Sequence, residues 1–264
     1  MQVNSPISPN FKSRNIDIRN ANAIANHVNR CFPMFKPTYA LQYWKIFDTA
    51  KENGAQLKTH FSRKYMGKVM AIRDEYLGEY TQKPYHIELT DSVKSSKLGN
   101  CFESAFITLE TLYANGFEKS KKVSPRLEIT GYDKSTKKEV IWKSFSIDHT
   151  CVITSMNNPK RVDIDDVIVI DSWLNKAMTV PEAKQEFFKL ISKKELARNL
   201  FETQHELKKK LNNFSDNKGF DLNNYEFKTN IHFVSDENFV SSEIKEISQD
   251  VRERYPQLII DYLA

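Results

Sequence analysis

Leu98-Gly99-Asn100-Cys101-Phe102-Glu103-Ser104-Ala105-Phe106 is the stretch on which the fold turns. Asn100 is a good helix N-cap, and Glu103 stands where a capping-box carboxylate reaches back to the cap N–H. Phe102, Ala105, Phe106, Leu109, Leu112 and Tyr113 then recur at helical spacing, and Gly116 supplies the stop. The spacing predicts a largely buried helix with Cys101 in its first turn.

Downstream the period changes from helical to alternating. Arg126 to Tyr132, Glu139 to Phe145, Thr150 to Thr154 and Val167 to Ile170 are β-branched or alternating runs. They are divided by turn signals such as Asp133-Lys134-Ser135 and Asn157-Asn158-Pro159. Consecutive strands with short links predict an antiparallel sheet behind the Cys101 helix. After Pro181 helical patterns return over Glu182 to Ile191 and Lys194 to Leu211. A strand (Tyr225 to Val234) and a helix (Glu237 to Tyr255) follow.

Upstream, Ile16 to Tyr80 reads as three helices. Their apolar faces are Ile24, Val28 and Cys31; then Leu41, Trp44 and Phe47 to Ala50; then Phe61, Tyr65, Val69, Ile72, Tyr76 and Leu77. Pro33 and Pro37 part the first two, and Gly54 parts the second and third. Pro84 to Lys97 reads as a connecting stretch. The expected organisation is a flexible arm (1–15), a helical region (16–82), a core (83–178), and a helical C-terminal region with one added strand (179–264).

Composition bounds what such a chain does. It has 264 residues, 40% hydrophobic and 28% charged, which is ordinary for a globular protein. The net charge of +5 comes from scattered lysines (119 to 122, 137 to 138, 208 to 210) rather than one aromatic-interleaved patch, which argues against nucleic-acid binding. Met1 to Arg14 is polar with Pro6 and Pro9, unlike a secretory signal, and no apolar run is long enough for a membrane span. Three cysteines are too few for a disulfide framework, so a reducing, cytoplasmic setting is expected. With seven glycines and none of the glycine-rich phosphate loops or the H-E-x-x-H zinc motif, no cofactor and no metal are expected.

Three segments carry chemistry. Gly99-Asn100-Cys101 opens a helix, where unpaired backbone N–H groups and the helix dipole favour a thiolate and can hold an oxyanion. Asp148-His149-Thr150-Cys151-Val152-Ile153 puts a histidine at the start of an apolar strand. Val167-Ile168-Val169-Ile170-Asp171-Ser172-Trp173 ends a buried strand in an acid and a tryptophan. A cysteine nucleophile needs a base, and the base needs a group that fixes its tautomer. Neighbouring antiparallel strands can set His149 beside Asp171, and a helix packed on that sheet can aim Cys101 at the imidazole. A carboxylate at the end of such a strand is costly without a partner. Trp173 is placed to cover the pair, and Asn100 to support the oxyanion side.

The order Cys on a helix, His on a strand and Asp on the next strand resembles the papain-like and transglutaminase-like superfamily. Gly-Asn-Cys, Asp-His before an apolar strand and Val-Ile-Asp-Ser-Trp also resemble segments of cysteine-dependent effectors that bacteria deliver into host cells. The gaps of about 48 and about 22 residues between Cys101, His149 and Asp171 are closer to transglutaminases and protein-glutaminases than to papain. The resemblance spans about Leu98 to Asn175. It implies an α+β core with a nucleophile helix packed on an antiparallel sheet, Cys101 as nucleophile, His149 as base and acid, and Asp171 as orienting group. It further implies glutamine deamidation or transglutamination of a host protein, by an effector secreted through a non-classical route. Papain-like proteases carry a glutamine shortly before the cysteine. Ser95 stands at that spacing here and Gln82 lies too far upstream, which sets proteolysis second.

Two readings of another class remain open: a non-catalytic protein-binding module on the same scaffold, and a zinc module formed by Cys101, His149, Cys151 and Asp171. Cys151 by itself reads as a core thiol. His27, His60, His86, His205 and His232 have no neighbouring motif. Lys194 to Leu211 is a basic amphipathic stretch, read as a solvated face or a docking helix.

Overall fold

The computed structural model describes residues 17–33, 68, 86–97, 99–155, 167–212, 221–235 and 240–260. The second and third N-terminal helices read from the sequence, the N-terminal arm and the Asn157-Asn158-Pro159 turn lie outside these residues. The described chain is mixed α+β. Its helices are α1 (Ile18–Cys31), α2 (His86–Ser96), α3 (Cys101–Ala114), α4 (Val180–Leu190), α5 (Lys193–Asn212) and α6 (Ser241–Arg254). Its strands are β1 (Lys121–Asp133), β2 (Glu139–Ser146), β3 (Cys151–Ser155), β4 (Val167–Asp171), β5 (Lys176–Thr179) and β6 (Tyr225–Ser235).

All the strands join one antiparallel sheet. One edge of β1 takes β6 along almost its whole length. The other edge takes β2 at its upper end and β3 at its lower end, and β3 continues through β4 to β5. The C-terminal strand therefore lies within the same sheet as the strands that follow α3.

Each face of the sheet carries helices. On one side α1 and α3 pack on Val152, Ile168 and Ile170, and α6 packs in turn against α3. On the other, Ala183 and Phe187 of α4 close over Val123, Leu127, Ile129, Cys151 and Val169. The strand β4 is buried at every position, which explains why Val167 to Ile170 is an unbroken β-branched run rather than an alternating one. Helix α3 is buried from Glu103 to Ala114. Its hydroxyl residues tolerate this because Thr108 and Thr111 donate to the carbonyls of Ser104 and Ile107, one turn back. Gly116, at φ 87°, follows the helix end as expected.

Pro84 to Lys97 is not a connector. Most of it is α2, with Leu89 and Val93 buried one turn apart and Thr90 bonded to Glu110 of α3. Three polar or charged residues separate those two apolar ones and three more follow within the helix, so the helical stripe is too thin to show in the sequence. Packing against α3 supplies what propensity does not. Lys97, at φ 54°, ends the helix. The short strand β5 was also not read from the sequence, because four residues carry too little periodicity.

Candidate active site

The site begins where the edge of β1 changes partner. Arg126 pairs with Ser146 of β2 and Val123 pairs with Cys151 of β3. Between those pairs β1 contributes only Ser124 and Pro125, while the opposing chain must fit residues 147–150. The surplus forms a bulge, and His149 is in it. The Ile147 N–H donates to the Pro125 carbonyl at 3.3 Å, and the His149 N–H turns back to the Ile147 carbonyl at 2.7 Å. In a strand the N–H and C=O of one residue point to the same edge. Pro125, which has no N–H, thus faces the one place on that edge where a regular ladder bond is not needed.

The bulge delivers His149 to Asp171. Cys151 of β3 and Asp171 of β4 extend the pairing of Val152 with Ile170, which places them side by side, and His149 reaches diagonally across. Its Nε2 is 2.6 Å from Asp171 Oδ2, with both side chains buried. The second carboxylate oxygen accepts the Leu174 N–H at 3.0 Å, so the acid is fixed at both oxygens.

The turn that carries Asp171 is fastened from outside. Asn29 of α1 donates to the Ser172 carbonyl at 2.6 Å and lies 3.0 Å from Asn175 Oδ1, and Asn22 accepts the Ala177 N–H at 2.7 Å. Asn175 takes a left-handed conformation at φ 59°, which asparagine tolerates well. From α3, Thr108 Oγ1 lies 2.6 Å from Ser172 Oγ.

Two rings enclose the imidazole. Trp173 meets it edge-on at 5.3 Å between centroids, and Phe187 of α4 lies at 5.0 Å. Trp173 is therefore where the sequence placed it. Phe187 was not singled out, since it lies in what reads as an ordinary amphipathic helix.

With Nε2 committed to Asp171, the other ring nitrogen is left for a further partner, and the Cys101 side chain lies near enough to act on the charge of the imidazole. Burial works against charge on the ring. The Asp171 carboxylate outweighs it through its charge and hydrogen bond, with Cys101 adding to the effect, and the imidazole pKa is carried up to about 10. The imidazolium is thus the favoured form, and it is the natural counter-ion for a thiolate. Cys151 differs: burial, with the Asp171 and Cys101 charges behind it, pushes its thiol well above the ordinary range. Cys101 is partly exposed and Cys151 is buried.

Asn100 caps α3 from an extended conformation, and its backbone N–H donates to Glu103 Oε2 at 2.7 Å. That N–H is engaged. The Ser104 N–H makes the first bond back into the helix, to the Asn100 carbonyl at 3.0 Å, so the Cys101 N–H lies ahead of the intrahelical ladder.

The zinc grouping is not assembled. Nε2 and Oδ2 at 2.6 Å are in direct hydrogen-bond contact with no room for an ion between them. Among the described residues no three His, Cys, Asp or Glu side chains form a metal-holding group. A second cysteine–histidine contact, Cys31 Sγ to His27 Nε2 at 3.4 Å, is of another kind. That nitrogen donates to the Gln257 carbonyl at 2.6 Å and so cannot take a thiol proton. Among the described residues no helix is long and apolar enough to cross a membrane. The chain matches no family model, no curated protein and no solved structure in the comparisons made.

Proposed function

We propose that the chain is a cysteine-dependent acyl-transfer enzyme of the papain-like or transglutaminase-like type, acting on a protein carboxamide. The supporting observation is the buried His149–Asp171 pair beside Cys101, in which the carboxylate fixes one imidazole nitrogen and leaves the other for the thiol.

In this reading the Cys101 proton passes to His149, and the thiolate sulfur attacks the carboxamide carbon. The carbonyl electron pair moves to oxygen, where the Cys101 N–H at the start of α3 is a donor. Collapse of the tetrahedral species breaks the C–N bond, and His149 returns the proton so that ammonia leaves. The thioester that remains is opened by water or by a lysine amine, with His149 again accepting the proton. Water converts glutamine to glutamate, and lysine makes an isopeptide cross-link. Asp171 holds the imidazole ring in place and balances its charge.

The test is selective alkylation followed by product analysis. Limiting iodoacetamide at pH 6 should label Cys101 ahead of Cys31 and Cys151, and His149→Ala should abolish that preference. Incubation with a glutamine-rich protein should then release ammonia without creating new N-termini. Equal labelling of all three thiols would remove the catalytic reading. New N-termini without ammonia would make the enzyme a peptidase.

A further inference from the structure

Lys122 marks where β1 passes the start of α3. Its Nζ lies 4.4 Å from the Phe102 ring centroid and 3.9 Å from that of Phe106, directly beside the Cys101 turn. From there α3 descends, and its last turn meets Ser120, whose carbonyl accepts the Tyr113 hydroxyl at 3.0 Å. The strand runs the other way. It rises past the helix start for eleven more residues, to Asp133, flanked by β2 and β6.

Side chains alternate along a strand, and the β1–β6 register holds without a shift. Ser124, Arg126, Glu128, Thr130 and Tyr132 therefore share the side of Lys122. The opposite side is taken: Leu127, Ile129 and Ile231 are in the cluster with Phe187, against Leu196 and Leu200 of α5. Among the described residues no helix packs on the Arg126 side above Lys122. That surface starts at the His149 bulge, which stands beside Ser124 and Pro125.

Its charges are arranged unevenly. Glu128 accepts from both neighbouring strands, from Trp142 Nε1 at 3.1 Å and Asn230 Nδ2 at 3.3 Å, while His232 Nδ1 stands 3.2 Å away without a hydrogen bond. Arg126, two residues away on the same side, has no carboxylate partner among the described residues. Its Nε is buried without an acceptor, as is Ser144 Oγ on the adjoining strand. A guanidinium held this way, while the nearest acid is occupied by other donors, is complementary to a carboxylate from outside the chain.

We infer that Arg126 reads an acidic side chain of the polypeptide substrate, a Glu or Asp about four residues from the carboxamide that Cys101 attacks. The spacing follows from Lys122 to Arg126 along the strand, since an extended substrate advances by about the same 3.3 Å per residue. The inference rests on Cys101 being the nucleophile and adds the substrate class: an acidic segment lying along β1.

The experiment uses the full chain and two sets of hexapeptides. In each peptide a chloroacetamide-bearing residue replaces glutamine, and either Glu or Gln stands four residues to its N-terminal or C-terminal side. Labelling rates at Cys101 are divided by the same protein's iodoacetamide rate. In one placement the Glu peptide should react faster than its Gln counterpart, on the order of tenfold. The ratio should fall to about one in Arg126→Gln and be partly kept in Arg126→Lys. Rapid iodoacetamide labelling with no Glu preference, or a preference that survives Arg126→Gln, overturns this inference alone. Slow iodoacetamide labelling of Cys101 overturns the nucleophile assignment and this inference with it.

Discussion

Glu110 sits in the C-terminal half of α3, fully buried, and its replacement by glutamine should change how the fold responds to pH. Burial raises its carboxyl pKa from 4.5 to about 8, against the opposing hydrogen bond from Thr90 and with a further rise from the Asp91 charge. Thr90 Oγ1 donates to one oxygen at 2.6 Å, and the other oxygen has no partner. An acid with a raised folded-state pKa stabilises the fold at low pH. That stability drains away as pH rises from 4.5 to 8, because over this range the folded chain holds a proton that the unfolded chain has released. At about 1.36 kcal/mol per pH unit, the full interval is worth about 5 kcal/mol. This is a ceiling, because water drawn to the ionised carboxylate would lower it. Urea denaturation of the parent chain and Glu110→Gln, followed by tryptophan fluorescence from pH 4.5 to 9, measures the difference. The two chains should be nearly equal near pH 4.5, and the variant should be more stable by about 2–5 kcal/mol above pH 8. Curves that stay parallel throughout would refute the reasoning and leave Glu110 ionised inside the protein.

Asp171→Asn removes the charge that carries the His149 pKa upward while leaving the ring its hydrogen-bonding contact. Alkylation of Cys101 at pH 6 should fall by about 10²–10⁴-fold, as when the orienting acid of a triad is lost, and a change of less than threefold would deny it that role. Phe187→Ala empties the space beside His149 and Phe233 from a side chain with no exposed surface. It should cost about 3–5 kcal/mol of unfolding free energy, read as a lowered denaturation midpoint with unchanged slope.

Most of the architecture was legible because burial enforces periodicity. The buried run Val167 to Ile170, the α3 pattern from Phe102 to Tyr113, and the alternation of β1 all follow from which faces water does not reach. Helix α2 was not legible, since two buried apolar residues one turn apart do not make a stripe among polar neighbours. The pairing of β6 with β1 was not legible either, because the partner of a strand about a hundred residues away is a tertiary choice that leaves no mark on local sequence. At the site, Cys101, His149, Asp171 and Trp173 lie together as their positions at element ends suggested. Asn29, Asn22 and Phe187, which hold or enclose them, come from helices whose sequence reads as ordinary.

The site depends on irregularity at the ends of regular elements, and Pro125 shows why. A strand with a full set of donors would pair with its neighbour without interruption, and His149 would then be one more ladder residue with its ring set by the pleat. Pro125 withholds a donor on that edge, the opposing chain gains slack between Ser146 and Cys151, and the slack is taken up by a turn closed through the His149 N–H. The same slack brings the imidazole over the end of β4, where Asp171 is anchored by Leu174 and the turn beyond it by Asn29. The imidazole orientation is thus set by backbone connections on three elements, and the thiol at the start of α3 meets a ring already fixed in place.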